Sequence, residues 1–118
     1  MAGEEGRKSD AGKPRTDLLP PLELLEVAEV YGLGAEKYAA KNYLQGLTTM
    51  RYMAAVLRHI LYWMAGHDDD PETGKSTLAH AVCSLLIVME IQRLRPDCDD
   101  RYYKHAPPPE PVERVQRA

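Results

Sequence analysis

Residues 79–89 are apolar apart from His80 and Ser84, and this constrains the fold more than anything else in the chain. A helix apolar nearly all round must be wrapped on several sides. The segment extends to about residue 95, where Pro96 ends it, and begins near Ser76, a good helix start. At 118 residues the chain has room for one domain, so this helix should be its centre.

Two further helices fit around it. Pro20-Pro21 opens one that runs to about residue 40, with Leu24, Val27, Ala28, Tyr31, Ala35 and Tyr38 at helical spacing. Gly32 and Gly34 weaken its middle by about 1 kcal/mol each relative to Ala. They suggest a kink or a close approach to a ligand. Thr48 or Thr49 caps another, which runs to about residue 65 and stops at Gly66; its apolar stripe is Met53, Val56, Leu57, Ile60 and Met64. No segment reads as a strand. The expected class is all-α, a small helical bundle over residues 17–95, with a flexible N-terminal arm over 1–16 and a disordered Pro-rich tail over 96–118. A core this small points to an oligomer, a dimer or tetramer of the chain.

The net charge of −3 argues against duplex nucleic acid as a partner, because such binders show a basic excess. Cys83 and Cys98 fall in no disulfide or zinc pattern, so a reducing cytoplasm is expected. No apolar stretch near the N-terminus suggests a secretory signal, and the longest apolar run is too short to span a bilayer, so no membrane partner is expected.

The chemistry is concentrated in acids. Glu23, Glu26 and Glu29 recur at intervals of three and fan over roughly 120° of the first helix, with Lys37 about 20° from Glu26 on the wheel. Glu26 and Glu29 are neighbours one turn apart, where like charges repel unless solvent or a hard cation separates them. The loop after the second helix adds Asp68, Asp69, Asp70 and Glu72. Glu26, Glu29, Asp70 and Glu72 could together hold Mg²⁺ or Mn²⁺ if that loop lies over the first helix; His80 would join only as a neighbour of those acids. A solvated acidic face explains the same pattern.

Cations are placed to complement a phosphate: Lys13 and Arg15 before the first helix, Lys37 within it, and Arg51 and Arg58 on one stripe of the second, with His59 beside them. Tyr38, Tyr43, Tyr52 and Tyr62 offer flat faces to a base. At helical spacing an aromatic also suits a core. His67-Asp68, with His59 upstream, has the look of an HD phosphohydrolase pair, but it sits in a Gly/Asp-rich loop.

Several stretches occur in a distinctive order: Asp10-Ala-Gly-Lys-Pro-Arg15, Asp17-Leu-Leu-Pro-Pro21, Glu26-Val-Ala-Glu-Val30, Gly34-Ala-Glu-Lys-Tyr38, Leu57-Arg-His-Ile60, Asp70-Pro-Glu-Thr-Gly74 and Leu78-Ala-His-Ala81. Together they resemble the phage dATP/dGTP diphosphohydrolase N-terminal domain family, a MazG-like branch of the all-α nucleoside triphosphate pyrophosphatases. His67, Thr77 and Ser84 depart from its usual pattern. The resemblance implies a MazG-like oligomer that cleaves purine deoxynucleoside triphosphates between the α and β phosphates with Mg²⁺ or Mn²⁺, in a bacterial host's cytoplasm. It also implies a supply of dGMP for 2-aminoadenine DNA synthesis. Glu26, Glu29 and Lys37 would then be catalytic. Lys13, Arg15, Tyr38, Asn42, Arg58 and His59 would bind substrate, and Glu26, Glu29, Asp70, Glu72 and His80 would bind metal. The alternatives are a non-catalytic nucleotide-binding or interaction module and an HD-type triphosphohydrolase.

Overall fold

Pro21 occupies the first helical position, where a missing N–H is harmless, and from it α1 (Pro21–Tyr38) runs unbroken through both glycines. α2 spans Thr49–Met64 and α3 spans Thr77–Leu94, with single 3₁₀ turns at Thr16–Leu18, Asn42–Leu44 and Pro96–Cys98. This computed structural model describes residues 9, 11–103 and 107–111. Among them there is no strand, only an isolated antiparallel bridge between Asp69 and Ser76. The three helices lie within a residue or two of their expected positions.

The helix ends follow from local chemistry. α2 stops in a Schellman motif: Gly66, at φ 100°, turns the chain, its N–H donates to Trp63 O, and the His67 N–H donates to Tyr62 O. The Ser76 hydroxyl caps α3 by accepting from the Ala79 N–H at 3.1 Å. At α2 Thr48 holds the expected N-cap position, but its side chain makes no capping bond within the helix. Asp100 supplies one from beyond α3, its carboxylate accepting from the Met50 N–H at 3.0 Å and the Thr49 hydroxyl at 3.4 Å.

α3 is the central helix, packed along α2 and against α1. The core joins Val27 and Val30 of α1, Tyr43, Ala79, Cys83, Ile87 and Ile91 of α3, and Cys98; Val56 of α2 is also buried. The inward stripe of α1 is therefore narrower than its periodicity suggests. Val30 belongs to it, whereas Leu24, Ala28, Ala35 and Tyr38 are exposed, because only the middle of α1 meets α3. On α2, Leu57 and Met64 also face outward.

Two expectations need correcting. The folded body passes residue 95: Cys98 is core and Asp100 caps α2. Residues 1–8, 10, 104–106 and 112–118, on which much of the expected arm and tail falls, lie outside the described residues. α3 also has the length and hydropathy of a membrane-crossing helix, with a mean hydropathy of 1.4 over 18 residues. α2 and α1 bury 39% of that span, and Leu78, Val82, Leu85, Leu86 and Met89 stay exposed, so α3 is wrapped on fewer sides than its composition suggests.

Candidate functional site

Where α1 ends, the chain turns sharply beside α3. Ala39 has φ 83° and ψ 153°, a region suited to glycine, and Lys41 is left-handed at φ 59°. A conformation such as that of Ala39 costs about 1–3 kcal/mol and persists only when its surroundings enforce it. The corner walls a cleft of about 520 Å³ between the second half of α1 and α3. Tyr31, Tyr38 and Tyr52 give it aromatic sides, and Cys83 and Ile87 lie at its α3 wall. The volume falls in the range of small-ligand sites.

The polar groups around the cleft come from four elements. Lys37, Lys41, Asn42, Glu72, Thr73 and His80 all line it. Lys37 lies 3.8 Å from Glu72 and 5.1 Å from the centroid of the Tyr38 ring. Hydrogen bonding to Tyr38, with the charge of Glu72, pushes its ammonium above the ordinary lysine value. The Lys41 ammonium bonds both oxygens of Glu90, at 3.0 and 3.1 Å. Glu90 also accepts a short hydrogen bond from the Tyr43 hydroxyl. That bond, followed by Lys41, holds the Glu90 carboxyl below the usual range. Burial pushes the Cys83 thiol up to about 11, so it stays protonated and is no nucleophile.

Thr73 links the loop to α3 through His80. The Thr73 hydroxyl accepts from the Lys75 N–H at 3.2 Å and lies 3.2 Å from Asp70 Oδ2. Thr73 Oγ1 also lies 2.8 Å from His80 Nε2. His80 stacks on His59, with centroids 5.1 Å apart. Burial, then the neighbouring His80, holds His59 below the ordinary histidine value. Its Nδ1 is buried without a partner.

The acidic pair sits nearer the start of α1, outside the cleft lining. Glu26 and Glu29 are exposed, and Glu29 Oε2 accepts from Lys75 Nζ at 2.7 Å. The loop does lie over α1, with Lys75 against Glu29 and Glu72 against Lys37. It does not gather the expected ligands. Among the described residues, no three of His, Cys, Asp or Glu are grouped to hold a metal ion. Asp70 is turned into its own loop, its Oδ2 accepting from the Glu72 and Thr73 amides at 3.0 and 2.9 Å. Burial alone would raise the Asp70 carboxyl; those bonds and His80 outweigh it and leave it lowered.

Of the residues singled out from sequence, the fold brings Lys37, Tyr38, Asn42, Glu72 and His80 to one cleft, with His59 stacked behind His80. Lys13, Arg15 and Arg58 are not among its lining residues, and Arg15 forms a pair with Asp17 at 2.8 Å. Sequence reasoning missed Lys41, Thr73, Lys75 and Glu90. Lys75, next to the acidic loop, was the one with a visible signal.

The family model described as dATP/dGTP diphosphohydrolase, N-terminal, matches residues 3–101. The chain is similar to a dATP/dGTP diphosphohydrolase of Salmonella phage PMBT28, with 39% identity over 103 residues, 87% of this chain. It spans about a third of that curated relative's length, 35%. No solved structure matches the chain.

Proposed function

Because the chain belongs to the dATP/dGTP diphosphohydrolase N-terminal family, we propose that it hydrolyses a purine deoxynucleoside triphosphate, dGTP or dATP, to the monophosphate and pyrophosphate. The observation that carries this reading is the cleft: aromatic walls for a base, an amide at Asn42, and lysines for phosphates, beside an exposed carboxylate pair.

Divalent metal fits that pair in part. Glu29 already accepts a cation, the Lys75 ammonium at 2.7 Å, and Glu26 adds its charge to the same field. Two carboxylates one turn apart, with water and phosphate oxygens, suit Mg²⁺ or Mn²⁺. Glu26 and Glu29 would hold it, and bound there it would neutralise phosphate charge and activate water.

The remaining work falls to the chain's own residues. Tyr38 and Tyr52 flank the base, and Asn42 offers donors and acceptors to its edge or to the sugar. Water attacks the α-phosphorus, the bond to the bridging oxygen breaks, and pyrophosphate leaves with the electron pair. Lys37 neutralises the charge that develops on the leaving group. Leu18, Leu19, Leu22 and Leu25 are all exposed, which supports a MazG-like homo-oligomer, a dimer or tetramer. The free thiols of Cys83 and Cys98 suit a reducing cytoplasm. With dGTP as substrate, the product dGMP would feed 2-aminoadenine DNA synthesis.

A panel of the common NTPs and dNTPs, each with Mg²⁺ or Mn²⁺ and with products identified, tests the proposal. Purine monophosphate plus pyrophosphate is the expected result. Nucleoside plus tripolyphosphate would point to HD-type chemistry, and no turnover of any nucleotide would leave a binding module.

A further inference from the structure

We propose that Lys41 is a phosphate-binding residue of the cleft, held by Glu90 when the site is free and released to an anionic ligand when it is filled. The inference rests on the reading of the cleft as a nucleotide site.

Lys37 and Lys41 flank the end of α1, and both line the cleft. An anion there meets an unfavourable backbone, because the last carbonyls of a helix carry partial negative charge. Side-chain cations must supply the attraction. Each is at present engaged by a carboxylate from another element, Lys37 by Glu72 and Lys41 by Glu90. A polyphosphate offers both a denser negative charge.

The Lys41–Glu90 pair is unequal. Glu90 has further partners in the Tyr43 hydroxyl and, at 3.9 Å, Arg93. If Lys41 leaves, Glu90 stays hydrogen-bonded and next to a cation. The side chain of Lys41 is 61% exposed, against 22% for Glu90. An ion pair with one such exposed member is weak and exchangeable. The left-handed backbone at Lys41 keeps the residue at the cleft wall, and its Nζ lies 5.8 Å from the centroid of the Tyr43 ring. Exchange therefore requires only rotation of the lysine side chain.

The test compares Lys41→Gln, Lys41→Arg and Glu90→Gln in the full chain. Two readouts are used: calorimetric binding of inorganic tripolyphosphate, with and without Mg²⁺, and KM for dGTP. Lys41→Gln is expected to weaken both by about five- to tenfold, and Glu90→Gln to tighten both by about two- to fivefold, because the competing carboxylate is gone. Lys41→Arg keeps the charge and should stay within about twofold of the wild type. Shifts of the same sign in Lys41→Gln and Glu90→Gln would mean a purely structural clasp and would overturn the proposal. So would a wild-type chain that binds no tripolyphosphate under either condition. Circular dichroism on each variant guards against misfolding; if Glu90→Gln unfolds, Lys41→Gln against Lys41→Arg still decides. If the wild type turns over no nucleotide yet tripolyphosphate binding shifts with opposite signs, the enzyme reading fails and the Lys41 site stands. Normal turnover with an unmoved KM in Lys41→Gln fails the Lys41 site alone.

Discussion

The two ends of the stretch from Glu29 to Lys41 are electrostatic opposites. At one, the acid Glu29 is held by a lysine, Lys75; toward the other, the lysines Lys37 and Lys41 are held by acids, Glu72 and Glu90. The loop between α2 and α3 serves both ends at once, since it carries Lys75 and Glu72. Each end thus resembles a site filled by its own counter-charge. A cation could replace Lys75 at the first, and an anion could replace the carboxylates at the second. A metal-bound triphosphate is one molecule that offers both.

The comparison can be broken at either end. The largest effect is expected at the acidic one: Glu26→Gln or Glu29→Gln should cut turnover by about 100-fold or more, with helicity unchanged by circular dichroism. Retained turnover in both variants would remove the carboxylate pair from the mechanism. At the basic end, Lys37→Gln should raise KM about tenfold and lower kcat less, since the lysine meets phosphate before and during reaction. A pure kcat effect would instead assign it to the transition state.

The loop that links the ends offers a third test. Asp70→Ala strips the bonds to the Glu72 and Thr73 amides and should cost about 2 kcal/mol in a urea melt. Its pH dependence has a definite sign. The Asp70 carboxyl is lowered from 3.8 by folding, so the folded state binds its proton less readily than the unfolded chain. The stabilisation is complete above that ordinary value and is lost as pH falls through the folded one. The wild type should therefore lose more stability than Asp70→Asn on acidification below about pH 4. The smallest effect sharpens the span between the ends. A Cβ at Gly34 meets nothing within 4 Å, so Gly34→Ala should stabilise the chain by up to about 1 kcal/mol in the same melt. If ligand packs on that helix face, KM will rise while stability improves.

Periodicity and punctuation made the three helices legible, because Pro21, Gly66 and Pro96 act locally on the backbone. The wheel also brought out the Glu26–Glu29 pair, since both lie on one element. It could not supply the partners. Lys75 is 46 positions from Glu29, and Glu90 is 49 from Lys41, so these pairs exist only once the helices pack. The setting of Asp70 was hidden for a related reason. In sequence it is one acid among four, whereas folding commits its Oδ2 to the amides of its own turn. Leu24, Ala28, Ala35 and Tyr38 fell outside the core because the contact of α1 with α3 is shorter than the apolar pattern on α1.

The cap on α2 has a consequence for anyone trimming this chain. Asp100 reaches back across 50 positions to the Met50 N–H. A truncation placed at the obvious proline, Pro96, would leave every helix residue in place and still unfasten the first turn of α2. A fragment meant for expression alone, or for fusion to another domain, should keep the chain through at least Arg101.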